Sequence, residues 1–63
     1  MTVGENIKAR RLSKELLQAE LAKQAGITQS MLCQIEKGTK NPSLQVSYEI
    51  AKILGCHIED FLK

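Results

Sequence analysis

Sixty-three residues bound the chain to one domain near the lower size for folding without disulfides, metal or a partner. A hydrophobic content of 43% supplies one small core and no enlarged catalytic cleft, and with Trp absent and only Tyr48 and Phe61 aromatic, a base-stacking platform for single-stranded nucleic acid is disfavoured. The net charge of +2 is uneven: residues 1–40 hold seven basic and four acidic side chains, residues 41–63 two and three, so the basic part favours a polyanionic partner.

Cys33 and Cys56 are too few and too far apart for a disulfide framework, and with His57 they make three potential metal ligands, two of them neighbours. No metal and no cofactor is expected. The N-terminus lacks an apolar signal region, and no segment approaches the roughly 20 apolar residues of a membrane span. The expectation is a soluble, cytoplasmic protein with no membrane partner and no evident small-molecule substrate.

In chain order, Thr2 with Glu5 three residues later makes a capping box and predicts a first helix over Val3–Lys14. Its buried side is expected to include Val3, Ile7 and one side of Leu12. A second helix begins near Gln18 in "QAELAKQAG" without the usual opening: Glu20 stands where the acid of a capping box belongs, but Leu17 occupies the Ser/Thr position. The missing cap leaves one or two amide N–H groups free and costs about 1 kcal/mol relative to Thr. Thr28 caps a third helix that runs to Lys37, Ser43 after Pro42 starts a fourth over Leu44–Leu54, and the acids of Ile58-Glu59-Asp60 suit the positive end of a short fifth. Gly26, Gly38 and Gly55 follow the second, third and fourth segments where a left-handed residue ends a helix. Two short helices joined by a tight turn containing Gly make a helix-turn-helix unit over about residues 18–37. The fold class expected is all-α, a compact five-helix domain.

On a helical wheel of about 100° per residue, Met31, Leu32 and Ile35 form the core arc of the third helix. Gln29, Ser30, Cys33, Gln34 and Lys37 form one outward face, uncharged until Lys37. Amides and hydroxyls both donate and accept, which suits base edges, and a Gln pairs bidentately with adenine N6 and N7. An ordinary solvated face is the alternative from composition alone.

The stretch "QAELAKQAGITQSMLCQIEKGTKNPS" resembles the helix-turn-helix of the Cro and phage-repressor family, also called the xenobiotic-response-element or lambda-repressor-like family. The likeness extends from "IKARR" through "LQVSYEIAKILG" to "IEDFL" and rests on Gln18, Glu20-Leu21-Ala22, Gly26, Ile35-Glu36, Gly38, Pro42-Ser43 and Ile50-Ala51. The resemblance implies a third helix lying in the major groove of double-stranded DNA. By position, Gln29, Ser30 and Gln34 become base readers, with Thr28 and Cys33 beside them. Gln18 at the start of the second helix, with Lys37 and Lys40 past the third, becomes a phosphate contact. Arg11 and Glu36 match the family's structural ion pair.

Three positions depart from the family pattern. Leu17 lacks a capping oxygen; Ser47 stands where a large apolar residue is usual, so either Tyr48 fills the space or the core is loose there; and Cys33 occupies a variable reading position with no family role. Cys56 matches an apolar position and is expected in the core, and Met31 in packing. Val46 and Ile53 lie off the main apolar stripe of the fourth helix. With Ile58 and Phe61 they form an expected homodimer interface, although Ile58 and Phe61 serve equally to close the core.

These features predict a sequence-specific DNA-binding transcriptional regulator, a repressor acting as a homodimer on a palindromic operator. With no effector domain expected after Lys63, repression would come from operator occupancy. The alternative is a protein-interaction module or antitoxin-like component that uses the apolar patch of the fourth and fifth helices. No carboxylate pair, nucleophile–base constellation or phosphate-cradling loop suggests an enzyme.

Overall fold

The first helix opens where the side chains of Thr2 and Glu5 exchange hydrogen bonds with each other's backbone. The Glu5 N–H donates to Thr2 Oγ1 at 3.1 Å, and the Thr2 N–H donates to Glu5 Oε1 at 2.9 Å. The Thr2 backbone N–H first, and the Thr2 hydroxyl next, hold the Glu5 carboxyl below its ordinary value. The protein is described by a computed structural model over residues 2–62, Leu62 by its backbone alone; Lys63, counted in the charge balance, lies outside. Among the described residues, α1 (Val3–Ser13), α2 (Gln18–Ala25), α3 (Gln29–Lys37) and α4 (Leu44–Leu54) are followed by a 3-10 helix at Ile58–Leu62.

The all-helical expectation holds, but there are four α-helices rather than five. The terminal segment is too short for an α ladder, since one turn's ordering is spent before propagation begins. It closes instead through three-residue spacing. The Asp60 N–H donates to the His57 carbonyl at 3.0 Å, and the His57 N–H donates to Asp60 Oδ2 at 3.0 Å.

Helix α2 has half a capping box. The Leu17 N–H donates to Glu20 Oε1 at 2.9 Å, but no side chain caps its first-turn amides. Ser43 supplies the missing kind of contact for α4, accepting the Val46 N–H at 3.1 Å.

The core gathers Ile7, Leu21, Ala22, Ala25, Leu32, Ile35, Ile50, Ala51, Leu54 and Phe61, with Val3, Met31 and Cys56 packed half-buried against it. Burial pushes the Cys56 thiol above its ordinary pKa. Helix α1 packs on α3, and α2 lies against both α3 and α4. Leu12 does not take the expected core position: it is 55% exposed, and Asn6 and Arg11 are buried from the same helix instead. Asn6 Nδ2 donates to the Asp60 carbonyl at 2.8 Å and Asn6 Oδ1 accepts from Arg10 Nε at 2.7 Å, tying α1 to the 3-10 helix. A polar side chain with both ends paired is tolerated there.

Gly4 explains how α1 approaches α3 so closely. A Cβ at this position would overlap the Ile35 carbonyl oxygen and lie 2.9 Å from that of Glu36. Both obstacles are backbone. Ser47 is buried in α4 while Tyr48 is half exposed, so Tyr48 does not fill the space left by a large apolar residue. Its ring instead faces outward beneath Lys52, whose Nζ lies 5.2 Å from the centroid.

Candidate nucleic-acid interface

Leu32 and Ile35 bury one side of α3, which fixes which side faces out. Thr28 starts the helix, accepting the Met31 N–H at 3.0 Å. Gly38 ends it in the left-handed conformation, φ 85°, and the Thr39 N–H then returns to the Gln34 carbonyl at 3.0 Å. Between these limits Gln29, Ser30, Gln34 and Lys37 are exposed, as is Thr28. Cys33 is only half-exposed, and Lys40 is exposed just beyond the helix.

Behind this face lies a connected polar network. Arg11 Nε donates to Glu36 Oε2 at 2.7 Å and Arg11 Nη2 to Glu36 Oε1 at 3.1 Å, while Arg11 Nη1 reaches the Leu16 carbonyl at 2.8 Å. Arg11 and Glu36 are each 7% exposed, so their charges are satisfied by one another rather than by water. Gln18 Nε2 donates to Glu36 Oε1 at 3.1 Å, and Gln18 Oε1 accepts from Gln29 Nε2 at 3.4 Å. The network thus runs unbroken from α1 to the outward face of α3.

The start of α2 and the flank of α3 enclose an open hollow of about 260 Å³, lined by Lys8, Arg11, Gln18, Cys33, Glu36 and Lys37. It falls below the roughly 300–1,000 Å³ of small-molecule pockets. With the Arg11 charge neutralised by Glu36, Lys8 and Lys37 supply the positive potential at its rim. Lys8 counts among the basic side chains of residues 1–40, but periodicity gives it no place at the site. Its spacing from Arg11, three residues along one helix, was the available signal. The hollow brings Gln18, Cys33 and Lys37 together, whereas Lys40 and Thr28 stand outside it.

The expected dimer patch changes more. Phe61 is 1% exposed and belongs to the core, because it is the largest fully buried side chain; drawing it out would forfeit about 1.5–3 kcal/mol. Val46, Ile53 and Ile58 are half-buried against that core. The apolar side chains α4 leaves open are Leu44 and Tyr48, at 76% and 51% exposure.

An eight-residue helix, a turn through Gly26 and Ile27, and a capped helix with a polar outer face together define a helix-turn-helix protein. The helix-turn-helix family matches residues 7–61, and the chain belongs to that family, which includes phage repressors. The immunity repressor protein of Bacillus phage phi105 is 41% identical over 58 residues, covering 92% of this chain and 40% of the phage protein. This chain thus spans well under half the length of that relative. The P22 c2 repressor, in a crystal structure with synthetic operator 9T, superposes with a TM-score of 0.95 at 30% identity, over 100% of this chain and 96% of that one. SinR of Bacillus subtilis, a master regulator for biofilm formation solved in complex with DNA, gives 0.92 at 32% identity, over 98% of this chain and 100% of that one.

Proposed function

We propose that this chain is a sequence-specific double-stranded DNA-binding transcriptional regulator, a repressor acting as a homodimer on a palindromic operator. Residues 1–63 work as one helix-turn-helix domain, in the cytoplasm and without catalysis. The observation that carries the reading is the outward face of α3: Gln29, Ser30 and Gln34 exposed, nearly uncharged, and bounded by lysines. Such a face has donors and acceptors for base edges in the major groove, with cations placed for the flanking phosphates. The operator-bound P22 repressor and DNA-bound SinR, similar over nearly this whole chain, support the same reading.

In this mechanism α3 enters the major groove, with Gln29, Ser30 and Gln34 reading bases and Thr28 and Cys33 beside them. Gln18, Lys37 and Lys40 contact phosphates, the first-turn amides of α2 that no side chain caps face the same backbone, and affinity falls steeply with salt. Two-fold pairing sets the reading helices about 34–36 Å apart on successive grooves, so one operator engages both copies. Val46, Ile53 and Ile58, with the exposed Leu44 and Tyr48, are the side chains available for that pairing.

Selection of duplexes from a random library, followed by two variants, tests the reading. Gln34→Ala lowers discrimination among sequences by about 1–3 kcal/mol with the fold intact. Lys37→Ala weakens all sequences alike and flattens the salt dependence. Unchanged binding by both variants would remove α3 as the reader. Sedimentation with and without the selected duplex counts the chains on a site.

A second reading, a module or antitoxin-like component that binds a protein partner, is favoured by the exposed Leu44 and Tyr48 on α4. It predicts that Tyr48→Ala abolishes partner binding while leaving duplex binding unchanged.

A further inference from the structure

Gly4, Lys8 and Arg11 are spaced four and then three residues apart along α1 and therefore share one face of it. Both ends of that row are fixed against α3. Gly4 lies so close to the Ile35 carbonyl that a Cβ would overlap it, and Arg11 holds both oxygens of the Glu36 side chain. Lys8, between the two, is thereby carried to the last turn of α3, where it lines the open hollow with Gln18, Cys33 and Lys37. Among the described residues the ion pairs are Arg11 with Glu36 and Lys52 with Glu49, so neither lysine of the hollow is neutralised. The sequence explains why. Glu5, one turn before Lys8, is occupied by the Thr2 N–H at 2.9 Å, and Glu36, the acid next to Lys37, is turned inward onto Arg11. Inside the hollow Arg11 and Glu36 cancel, which leaves two cations converging from two different helices.

We infer that Lys8 is a DNA-contacting residue: the hollow seats one phosphodiester of the duplex, which Lys8 from α1 and Lys37 from α3 hold together. The inference rests on α3 lying in the major groove. A phosphodiester carries one negative charge spread over two unesterified oxygens, so each ammonium has an acceptor of its own. Arg11 is a poor substitute for Lys8, because it is 7% exposed and its three nitrogens already donate to Glu36 and the Leu16 carbonyl. The first helix, outside the helix-turn-helix unit, thus becomes part of the interface. Phosphate contacts fix register and orientation rather than sequence, and an anchor on α1 adds a second helix to those that set how α3 enters the groove. A lysine that is merely solvated acts on the whole duplex through a screened field. Two lysines on one seat act on one phosphate.

The test uses the full chain and a duplex selected by the wild-type protein, remade as a series in which one phosphate at a time is a neutral methylphosphonate. Lys8→Ala should weaken binding to the unmodified duplex and to unrelated duplexes alike, and Lys8→Arg should restore it. The one linkage whose neutralisation removes the effect of Lys37→Ala should also remove the effect of Lys8→Ala. Salt dependence gives a second readout, since each neutralised phosphate of B-DNA contributes a slope of about −0.9. Between 50 and 200 mM salt, the double variant Lys8→Ala/Lys37→Ala should lose affinity about 3.5-fold less than wild type, one phosphate's worth; two separate phosphates would give about 12-fold. Lys14→Ala removes the same charge from the far end of α1, where the amine lies beside Gly55, and should leave binding as in wild type. Wild-type affinity in Lys8→Ala overturns the inference. So does a Lys8→Ala effect that survives at the Lys37 linkage, or one that Lys14→Ala matches. In each of these cases DNA reading by α3 stands. If wild type selects no duplex at all, DNA reading itself fails.

Discussion

Replacing Glu36 by Ala removes the acceptor of three N–H groups at once, two from Arg11 and one from Gln18. The loss is unequal among them. Gln18 is half-exposed and turns to water at little cost, but Arg11 is 7% exposed and keeps only the Leu16 carbonyl, 2.8 Å from Nη1. An uncompensated buried guanidinium is the dominant penalty, and breaking a buried pair from one side costs about 3–5 kcal/mol. A domain of this length is stabilised by roughly 0.05–0.15 kcal/mol per residue, so the single change removes about a third of the total or more. Urea unfolding followed by far-ultraviolet circular dichroism measures this directly, with the midpoint expected to fall and the slope to stay constant. The double variant Arg11→Met/Glu36→Leu should recover most of the loss, because apolar side chains of similar volume replace both charges. A loss under about 1 kcal/mol for Glu36→Ala, the range of exposed pairs, would refute the buried-charge reasoning.

Gly4→Ala places a methyl against the Ile35 and Glu36 carbonyls, so α1 and α3 must separate; a loss of about 1–3 kcal/mol is expected, and an unchanged melting temperature would show that the two backbones are not in contact. Leu17→Thr adds the absent cap of α2 at a residue 67% exposed, with little burial to lose, and should gain about 1 kcal/mol in thermal unfolding; no gain would mean that the first-turn amides are already satisfied. The Glu5 carboxyl, held down by the Thr2 N–H and hydroxyl, stabilises the start of α1 above the ordinary value of 4.5. That contribution is lost as pH falls through the lower folded value, because the unfolded chain takes up the proton first. A carboxyl-resolved NMR titration should place Glu5 below 4.5, and a midpoint at or above it would contradict the capping box.

The starts of α1, α3 and α4 are legible in the sequence because capping reaches only three residues along the chain, whereas α1 stops at Ser13, one residue before the expected Lys14. Thr2 meets Glu5, Thr28 meets Met31 and Ser43 meets Val46, each pair within one turn. The outward face of α3 is legible for a related reason: helical periodicity alone separates Leu32 and Ile35 from Gln29, Ser30 and Gln34. The final segment was open to misreading because α and 3-10 bonding differ by one residue of spacing, and acids suit the start of either.

What the sequence by itself determined is therefore local: helix starts and stops, the turn between α2 and α3, and the composition of the outward face of α3. Tertiary structure alone decided matters that depend on residues far apart along the chain. Asn6 bonds Asp60 across 54 positions and Glu36 bonds Gln18 across 18, whereas the Arg11–Glu36 pair, across 25, was expected only through the family resemblance. No periodicity announces that Gly4 lies against the end of α3, that Leu12 is left in solvent or that Phe61 closes the core. The polar chain from Arg11 through Glu36 and Gln18 to Gln29 belongs to the same class, because it joins three helices around a buried carboxylate that can only accept.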